Sequence, residues 1–518
     1  MGKNLFNSVL VKKPGRNNFD LTHDFKFSAN MGYLIPTAVI ECIPGDSFKL
    51  GCEALIKLAP MSAPPMQRID VTFHWFFVPN RLTWENWSEW IVQEPGTTWV
   101  HPYISFDDTT FSIDMGTLPD YMGIPIPTQV TYVNPENCSA LPFAAYQLIF
   151  NEYYRDENLV SEVDGVELTS GDNNANWGSL TELRTRAWEH DYFTSALPFA
   201  QKGAAVSLPI GEVVLGGTAP YDSQLLRVAS TGALLGGAVL GTNLGSELNT
   251  SPATAPVVLD PNGTLEVAPT TITDLRRAFR LQEWLEKNAR GGTRYIENIL
   301  AHFGVRSSDA RMQRPEYITG CKAPVVISEV LQTSESSGTP QANMAGHGVS
   351  VIGGKYGKYF CEEHGYIICI MSVLPKTAYH QGFPLHFLKR YDPFQYFWPE
   401  FQHIGEQPIW NAELYGYQQE GTGATQNHGT FGYIPRYAEY KFINSRIAGQ
   451  FHVGGNLENW TQVRDFSSQP ALDDRFVTSD PSYRTFADTD PTQHHLYCHV
   501  LNKVYVSRVM AKYGNPSF

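Results

Sequence analysis

The side chains of this 518-residue chain that could carry chemistry are its fifteen histidines, seven cysteines, paired carboxylates and one glycine-rich segment. His494, His495 and His499 would bring three imidazoles together. Neighbours along a strand point to opposite faces, however, and no carboxylate or cysteine pattern completes a zinc set. GVSVIGGK at 348–355 approaches a phosphate loop, but its spacing is wrong. Tyr356 also stands where a Ser or Thr would hold magnesium, so the segment reads as a glycine-rich strand connection. Asp107-Asp108, Glu362-Glu363 and Asp473-Asp474 are sequence neighbours and read as solvated turns, not as an acid/base pair. His190-Asp191 and His23-Asp24 each supply part of a triad without a nucleophile, and there is no GxSxG or HExxH. The cysteines (Cys42, Cys52, Cys138, Cys321, Cys361, Cys369, Cys498) are odd in number and form no CxxC pair. They read as reduced thiols packed as small hydrophobes. The expectation is no catalytic residue, no metal site and no cofactor.

The elements that would position any site are mostly strands. Residues 69–78 place Ile69, Val71, Phe73, Trp75 and Phe77 at period two, one strongly apolar face of a strand. The other face starts polar at Asp70, Thr72 and His74 and turns apolar at Phe76 and Val78. It is therefore predicted to begin half-exposed and to end buried on both sides. After Pro79-Asn80 the period becomes helical, with Trp84, Trp87 and Ile91 on one face and Thr83 as N-cap. Trp84, Trp87 and Trp90 are candidates for packing between loops or between subunits. Residues 33–78 read as consecutive strands, and 359–374, 431–451 and 496–509 hold further strand-like runs. Helices are expected at 140–158, with Phe143, Tyr146, Phe150 and Tyr153 on one face, and at 273–289. Strands that follow one another without intervening helices pair antiparallel, as in a sandwich or jelly roll.

Composition agrees: 13% aromatic and only 17% charged residues, with 34 Pro and 43 Gly. Low charge with many aromatics suits a surface covered by neighbours as well as it suits a large enzyme. The net charge of -14 excludes a protein that coats nucleic acid with its whole surface, but not a local basic face. Residues 1–30 read as an arm carrying Lys3, Lys12, Lys13 and Arg16, the candidates for phosphate contact. The N-terminus has no apolar core of a secretory signal. Residues 204–268 lack Phe and Trp and are rich in Ala, Gly, Leu, Val and Thr. Glycines and polar residues argue against a membrane span there, and the segment reads as an insertion that packs on copies of itself.

Several blocks, taken in order, resemble the major capsid protein of microviruses, specifically the gokushovirus branch of small icosahedral single-stranded DNA phages. They include GYLIP at 32–36, FFVPNRLTWENW at 76–87, LPFAAYQLIFNEYYRDENL at 141–159 and HDYFTSALPFAQKG at 190–203. ARGGTRYIENILAHFGVRSSDARMQRPEY at 289–317, EHGYIICIMSVLPKTAYHQG at 363–382 and FGYIPRYAEYKFINSRIAG at 431–449 extend the match over most of the chain. Ala144 departs from it, standing where a basic residue would be expected. The resemblance implies a mainly β fold, an eight-stranded antiparallel jelly-roll β-barrel with long loop and helix insertions. An internal arm would span 1–30, and a single capsid domain 31–518. It implies a T=1 icosahedral shell of identical subunits around circular single-stranded DNA, assembled in the bacterial cytoplasm. Implied partners are a small basic DNA-binding virion protein, a pilot or minor capsid protein and a host cell-surface receptor, with no membrane insertion. Residues 204–268 would form protrusions at the threefold axes, with Leu234, Leu235, Val239 and Leu240 the candidates for host contact. The alternative from another class is a glycan-binding or glycan-hydrolysing β-sandwich, whose aromatic faces would stack on sugars.

Overall fold

A computed structural model describes residues 15–127, 135–207, 271–331, 344–389, 392–416 and 427–513, together with the backbone of four short strands between 213 and 267. Lys3, Lys12, Lys13, Leu234, Leu235, Val239 and Leu240 lie outside the described residues.

Eleven strands build two antiparallel sheets: β1 (Asn17–Asp20), β2 (His23–Ala29), β3 (Ile35–Cys42), β4 (Ser47–Leu58), β5 (Ile69–Pro79), β6 (Glu316–Pro324), β7 (Val326–Leu331), β8 (Met344–Ile352), β9 (Gly357–Phe360), β10 (Gly365–Pro375) and β11 (Leu496–Arg508). In the first sheet β11 lies against β4. Its other edge is taken by β1 and β2 in tandem. The far edge of β4 is taken by β8 and β9 in tandem, with β7 outside β8. The second sheet runs β6-β5-β10-β3. The strands expected from residues 33–78 and from the C-terminal end are therefore present, and Asn17–Asp20 and His23–Ala29, read from sequence as part of the arm, are already strand.

The two sheets share one core. Phe48, Leu50, Ile56, Val500 and Val504 of the first sheet meet Phe73, Trp75, Phe77, Ile367 and Met371 of the second, all essentially without solvent contact. The expected closed barrel does not form: among the described residues no ladder joins the sheets. Sheets packed face to face lie about 10 Å apart, roughly twice the spacing of hydrogen-bonded strands. At the corner from β6 to β7, Pro324 also has no N–H to extend a ladder. The eight expected strands become eleven because β4 and β11, twelve and thirteen residues long, are each flanked by two short strands in tandem.

The strand at 69–79 is central, paired with β6 on one side and with β10 over eleven residues on the other. Gly365 is required opposite its end, because a Cβ there would sit 2.3 Å from the Val78 carbonyl oxygen. The outer face of β5 is buried from the start, unlike the half-exposed beginning expected. Asp70 and Thr72 are 3% and 4% exposed. Their burial is made possible by partners distant in sequence. The Arg186 guanidinium donates to Thr72 Oγ1 at 2.8 Å and to Ser372 Oγ at 2.9 Å. Asp70 pairs with Arg68 at 2.8 Å and with Lys322 at 2.9 Å, and Glu189 joins Lys322 to Lys376. A buried carboxylate without such partners would be strongly destabilising.

Beyond His74 the same face becomes apolar. Phe76, Val78, Ile368 and Ile370 are covered by the segment between β5 and residue 180, as the switch of pattern predicts. The chain leaves β5 through one helical turn, α1 (Asn80–Thr83), and a second short helix, α2 (Trp87–Ile91). Thr83 therefore ends a turn rather than capping a helix; its hydroxyl donates to the Asn80 carbonyl at 3.0 Å. The main cover is α3 (Leu141–Ile149), continued by a π-helical turn at Phe150–Tyr154. Phe143, Tyr146 and Phe150 point into this second core, and the Tyr146 hydroxyl reaches the Leu34 carbonyl at 2.7 Å. Ala144 is fully buried here, so no basic residue is called for at that position.

Residues 201–290 form a separate compact unit that encloses the insertion read at 204–268. It contains two two-stranded antiparallel ladders, Val213–Leu215 with Leu265–Val267 and Leu226–Val228 with Val257–Leu259, and the helix α4 (Ile272–Gly291). Among the described residues no helix is long and apolar enough to cross a membrane.

Trp75→Ala should lower unfolding free energy by about 3–5 kcal/mol, the range for emptying an aromatic site in a packed core, measured by urea titration. A loss below about 1 kcal/mol would mean that the sheets do not depend on this core. The outer face of β5 has its own signature in pH. Burial and then the charges of Arg186 and Lys322 lower the pKa of His74 from 6.5 to about 4. Its neutral ring pairs through Nδ1 with the Tyr154 hydroxyl at 2.7 Å. The depressed value means that this stabilisation is complete above about pH 6.5 and is lost as pH falls toward 4, at up to about 1.4 kcal/mol per pH unit. His74→Phe should flatten the fall of the urea midpoint across that window; an identical fall in both proteins would assign it to other groups.

Candidate functional site

The three tryptophans singled out by spacing do come together. Trp84, Trp87 and Trp90 have ring centroids 5.5–6.4 Å apart. His101 stands 5.2 Å from Trp90, and His364 5.7 Å from Trp87. Trp84 is fully buried and Trp87 and Trp90 are half-buried, so the cluster packs loops together where the chain leaves β5. Burial also lowers the pKa of His101.

The feature that spacing did not reveal is a surface of uncovered aromatics between residues 383 and 443. Beneath it lies a third apolar core: Tyr192, Phe193 and Tyr379 with Ile409, Phe431, Ile434 and Phe476. Two strands, Glu406–Trp410 and Thr430–Pro435, pair antiparallel there. Asp191 anchors this core. Its carboxylate accepts from the backbone N–H groups of Phe193 and Thr194 and from the hydroxyls of Thr377 and Tyr379, each bond 2.7–2.9 Å. The His190-Asp191 pair thus has a structural use and no nucleophile beside it.

Above the core the chain makes short turns broken by prolines, at Leu385–Leu388, Pro393–Gln395 and Pro399–Phe401. Such turns cannot turn their aromatic rings inward together. Phe383, Phe387, Phe394, Tyr396, Phe397 and Trp398 are all exposed, and so are Ile404, Tyr440, Phe442 and Ile443. Ile443 reaches 88% exposure. Two cations tie part of this surface to the layer beneath. Lys389 is buried against Glu439 at 2.5 Å, and its ammonium lies 4.2 Å from the centre of the Tyr440 ring. Arg436 lies 4.7 Å over Tyr437 and donates to the Phe394 carbonyl at 2.7 Å. Tyr437 holds a left-handed backbone, φ 61°, at the turn that carries this stack. Phe397 packs 5.1 Å from it.

A cleft of about 720 Å3 opens among these side chains. It contains two carboxyl groups, the arrangement a glycan-cleaving enzyme would need. Both are already committed. Glu439 holds Lys389 and accepts from Gln407 at 2.8 Å. Glu413 accepts from the Trp410 N–H at 2.9 Å and the Tyr192 hydroxyl at 3.0 Å. Burial raises the Glu413 pKa to about 7. The cleft therefore offers aromatic surface and a rigid ion pair more readily than an acid and a base.

The remaining sequence candidates disperse. Arg16 donates to the backbone carbonyls of Gly45, at 2.6 Å, and Ser507, at 3.5 Å, where the chain enters the first sheet. His495 is buried between Asn30 Oδ1 and the Asp488 carbonyl, whereas His494 turns the other way to Ser28. His499 pairs with Asp24. Among the described residues no group of three metal-capable side chains gathers. All seven cysteines are free, with Cys52 and Cys321 sulfurs 3.7 Å apart. GVSVIGGK lies in β8 and the turn after it.

Comparison with known proteins gives the surface its context. A family model described as capsid protein (F protein) matches residues 8–518. Capsid protein VP1 of Bdellovibrio phage phiMH2K is 35% identical, with 97% of this chain and 95% of that protein covered. Capsid protein VP1 of Chlamydia phage 1 is 32% identical over 99% and 97%. Capsid protein VP1 of Spiroplasma virus 4 is 29% identical over 90% and 88%. With an aromatic surface exposed among its described residues, and relatives of this kind along its whole length, the chain belongs to the capsid protein (F protein) family and is a structural capsid protein of a microvirus.

Proposed function

We propose that the chain is the subunit of a T=1 icosahedral shell enclosing circular single-stranded DNA, and that its two sheets are an opened jelly roll. The observation that carries the shell reading is the aromatic surface at 383–443. Exposed apolar area of this extent marks a surface built for burial against another protein. Aromatic anchors of this kind supply most of the energy of an interface. Many copies closing together allow each contact to be individually weak.

The jelly-roll reading is supported by nested pairing. Counting β1 with β2, and β7 with β8 and β9, as single strands, the first pairs the last, the second the seventh, the third the sixth and the fourth the fifth. The unit at 201–290 fits a protrusion at the threefold axes, with host contact at Leu234, Leu235, Val239 and Leu240. Its helix α4 leaves Leu275 and Phe279 exposed, as expected of a surface shared among three copies. Lys3, Lys12, Lys13 and Arg16 are proposed to face the DNA. A small basic virion protein would supply most of the countercharge that an acidic chain lacks. A pilot or minor capsid protein and a host receptor complete the proposed partners, with assembly in the bacterial cytoplasm.

Electron microscopy of the purified protein should reveal closed particles of one size; discrete monomers that turn over glycans would support the sandwich enzyme instead. Ile443→Asp changes a side chain already in water, so the subunit should keep its stability to within about 0.5 kcal/mol. Particle yield in a sedimentation assay should nevertheless fall about tenfold or more, because a charge would be buried at an interface core. Unchanged yield would remove this surface from assembly. Deletion of residues 204–268 should give shells without projections, and an unfolded subunit would place the boundary of the insertion elsewhere.

A further inference from the structure

The outward face of the second sheet is covered by α3 and its loops, whereas among the described residues no element covers the outward face of the first sheet. Its composition is unlike the rest of this acidic chain. Lys26, Lys49, Lys57, Lys358 and Lys503 project from it against Asp20, Asp24 and Glu53. Glu53 is engaged by Lys503 and Asp24 by His499. Among the described residues Lys26, Lys49, Lys57 and Lys358 make no salt bridge.

Aromatic rings alternate with these lysines in register. Tyr497 stands opposite Lys57 on β4, and Tyr505 opposite Lys49, whose other neighbour is Lys358 on β9. Tyr497 and Tyr505 are 48% and 40% exposed, and Phe360 is 51% exposed at the end of β9. The Tyr356 ring lies under the Lys49 ammonium at 4.3 Å. From Lys49 to Lys57 the strand runs roughly 27 Å at ~3.4 Å per residue, so the rows form an extended track. Arg16, with its guanidinium 5.9 Å from the Phe360 ring, enters at one corner of the same face. The segment that precedes it carries Lys3, Lys12 and Lys13.

We propose that this face is a platform for single-stranded nucleic acid, with the lysines on phosphates and the exposed tyrosines and Phe360 beneath unpaired bases. Lysines without carboxylate partners attract a polyanion and release its counterions. Aromatic rings on a flat sheet stack bases of any identity, which only an unpaired strand can offer. A protein partner would have to match the lysine rows with carboxylates at the same repeat, whereas a nucleic-acid strand carries a phosphate at every nucleotide. The proposal deepens the shell reading, which it needs only for the source of the strand.

The test is fluorescence anisotropy of the purified full chain with labelled oligodeoxythymidine of about 30 nucleotides, a length spanning several stacking platforms, from ~50 to ~200 mM salt. Lys49→Glu/Lys57→Glu/Lys358→Glu should weaken binding at least tenfold and flatten the salt dependence, by ~0.7 in log–log slope for each phosphate no longer neutralised. Tyr497→Ala/Tyr505→Ala should weaken it at least about fivefold with the salt slope retained. Arg311→Glu, at an exposed position elsewhere, should leave it unchanged. Duplex of the same length should bind more weakly. Undiminished affinity in the lysine variant, or equal binding of duplex and single strand, overturns the platform. Electron microscopy of the same preparations separates the two readings: shells with undiminished DNA binding in the lysine variant overturn the platform alone. A wild-type protein that binds the strand through this face but forms no shells overturns the shell reading alone.

Discussion

Everything in this fold depends on the need to bury both faces of one strand pair. β5 and β10 run side by side for eleven residues in the middle of the second sheet, with apolar side chains on both faces over half that length. One face is satisfied by the first sheet. The other demands a cover, and the chain supplies it by leaving β5 at Pro79 and returning as α3. Where the outer face is polar, burial is maintained by charge pairing instead: Arg186 caps the Thr72–Ser372 pair, and Lys322 and Arg68 neutralise Asp70. The long excursions are thus a requirement of the sheet that they cover.

That requirement goes unmet at one place, and the exception points to function. The core around Phe193, Phe431 and Phe476 is closed, yet the turns above it hold further rings in water. Buried Lys389 pairs with Glu439 beneath them, and Arg436 stacks on Tyr437. Among its described residues, a single copy does not cover those rings. Membership in a capsid protein family explains why it does not have to, since neighbours in a shell are part of the environment for which the sequence is suited.

The legible parts of the sequence are those governed by local period. The alternation from Ile69 to Phe77 marks the strand and its inner face, and the apolar turn at Phe76 and Val78 marks the covered outer end. The helix around Phe143 and Tyr146 follows from spacing alone. What cannot be read depends on partners far along the chain. The burial of Asp70 and Thr72 requires Arg186, Arg68 and Lys322, and Thr72 is 114 residues from Arg186. The resemblance leads to the expectation of a closed barrel; the distance between packed sheets, about twice that between hydrogen-bonded strands, keeps the two apart. The aromatic surface is present in the composition of residues 383–401, with eight Phe, Tyr and Trp in nineteen residues. No periodicity tells whether such rings face a core or a neighbour. Only the proline-broken turns, which cannot present all of them to one interior, distinguish the two.

The central claim is that the surface at 383–443 becomes buried when subunits meet. The direct measurement is a reconstruction of the assembled particle at a resolution that places side chains. The account predicts Phe387, Phe397, Tyr440 and Ile443 packed against an adjacent subunit, with the Lys389–Glu439 pair unchanged beneath them. A closed particle in which these side chains face open solvent would contradict it.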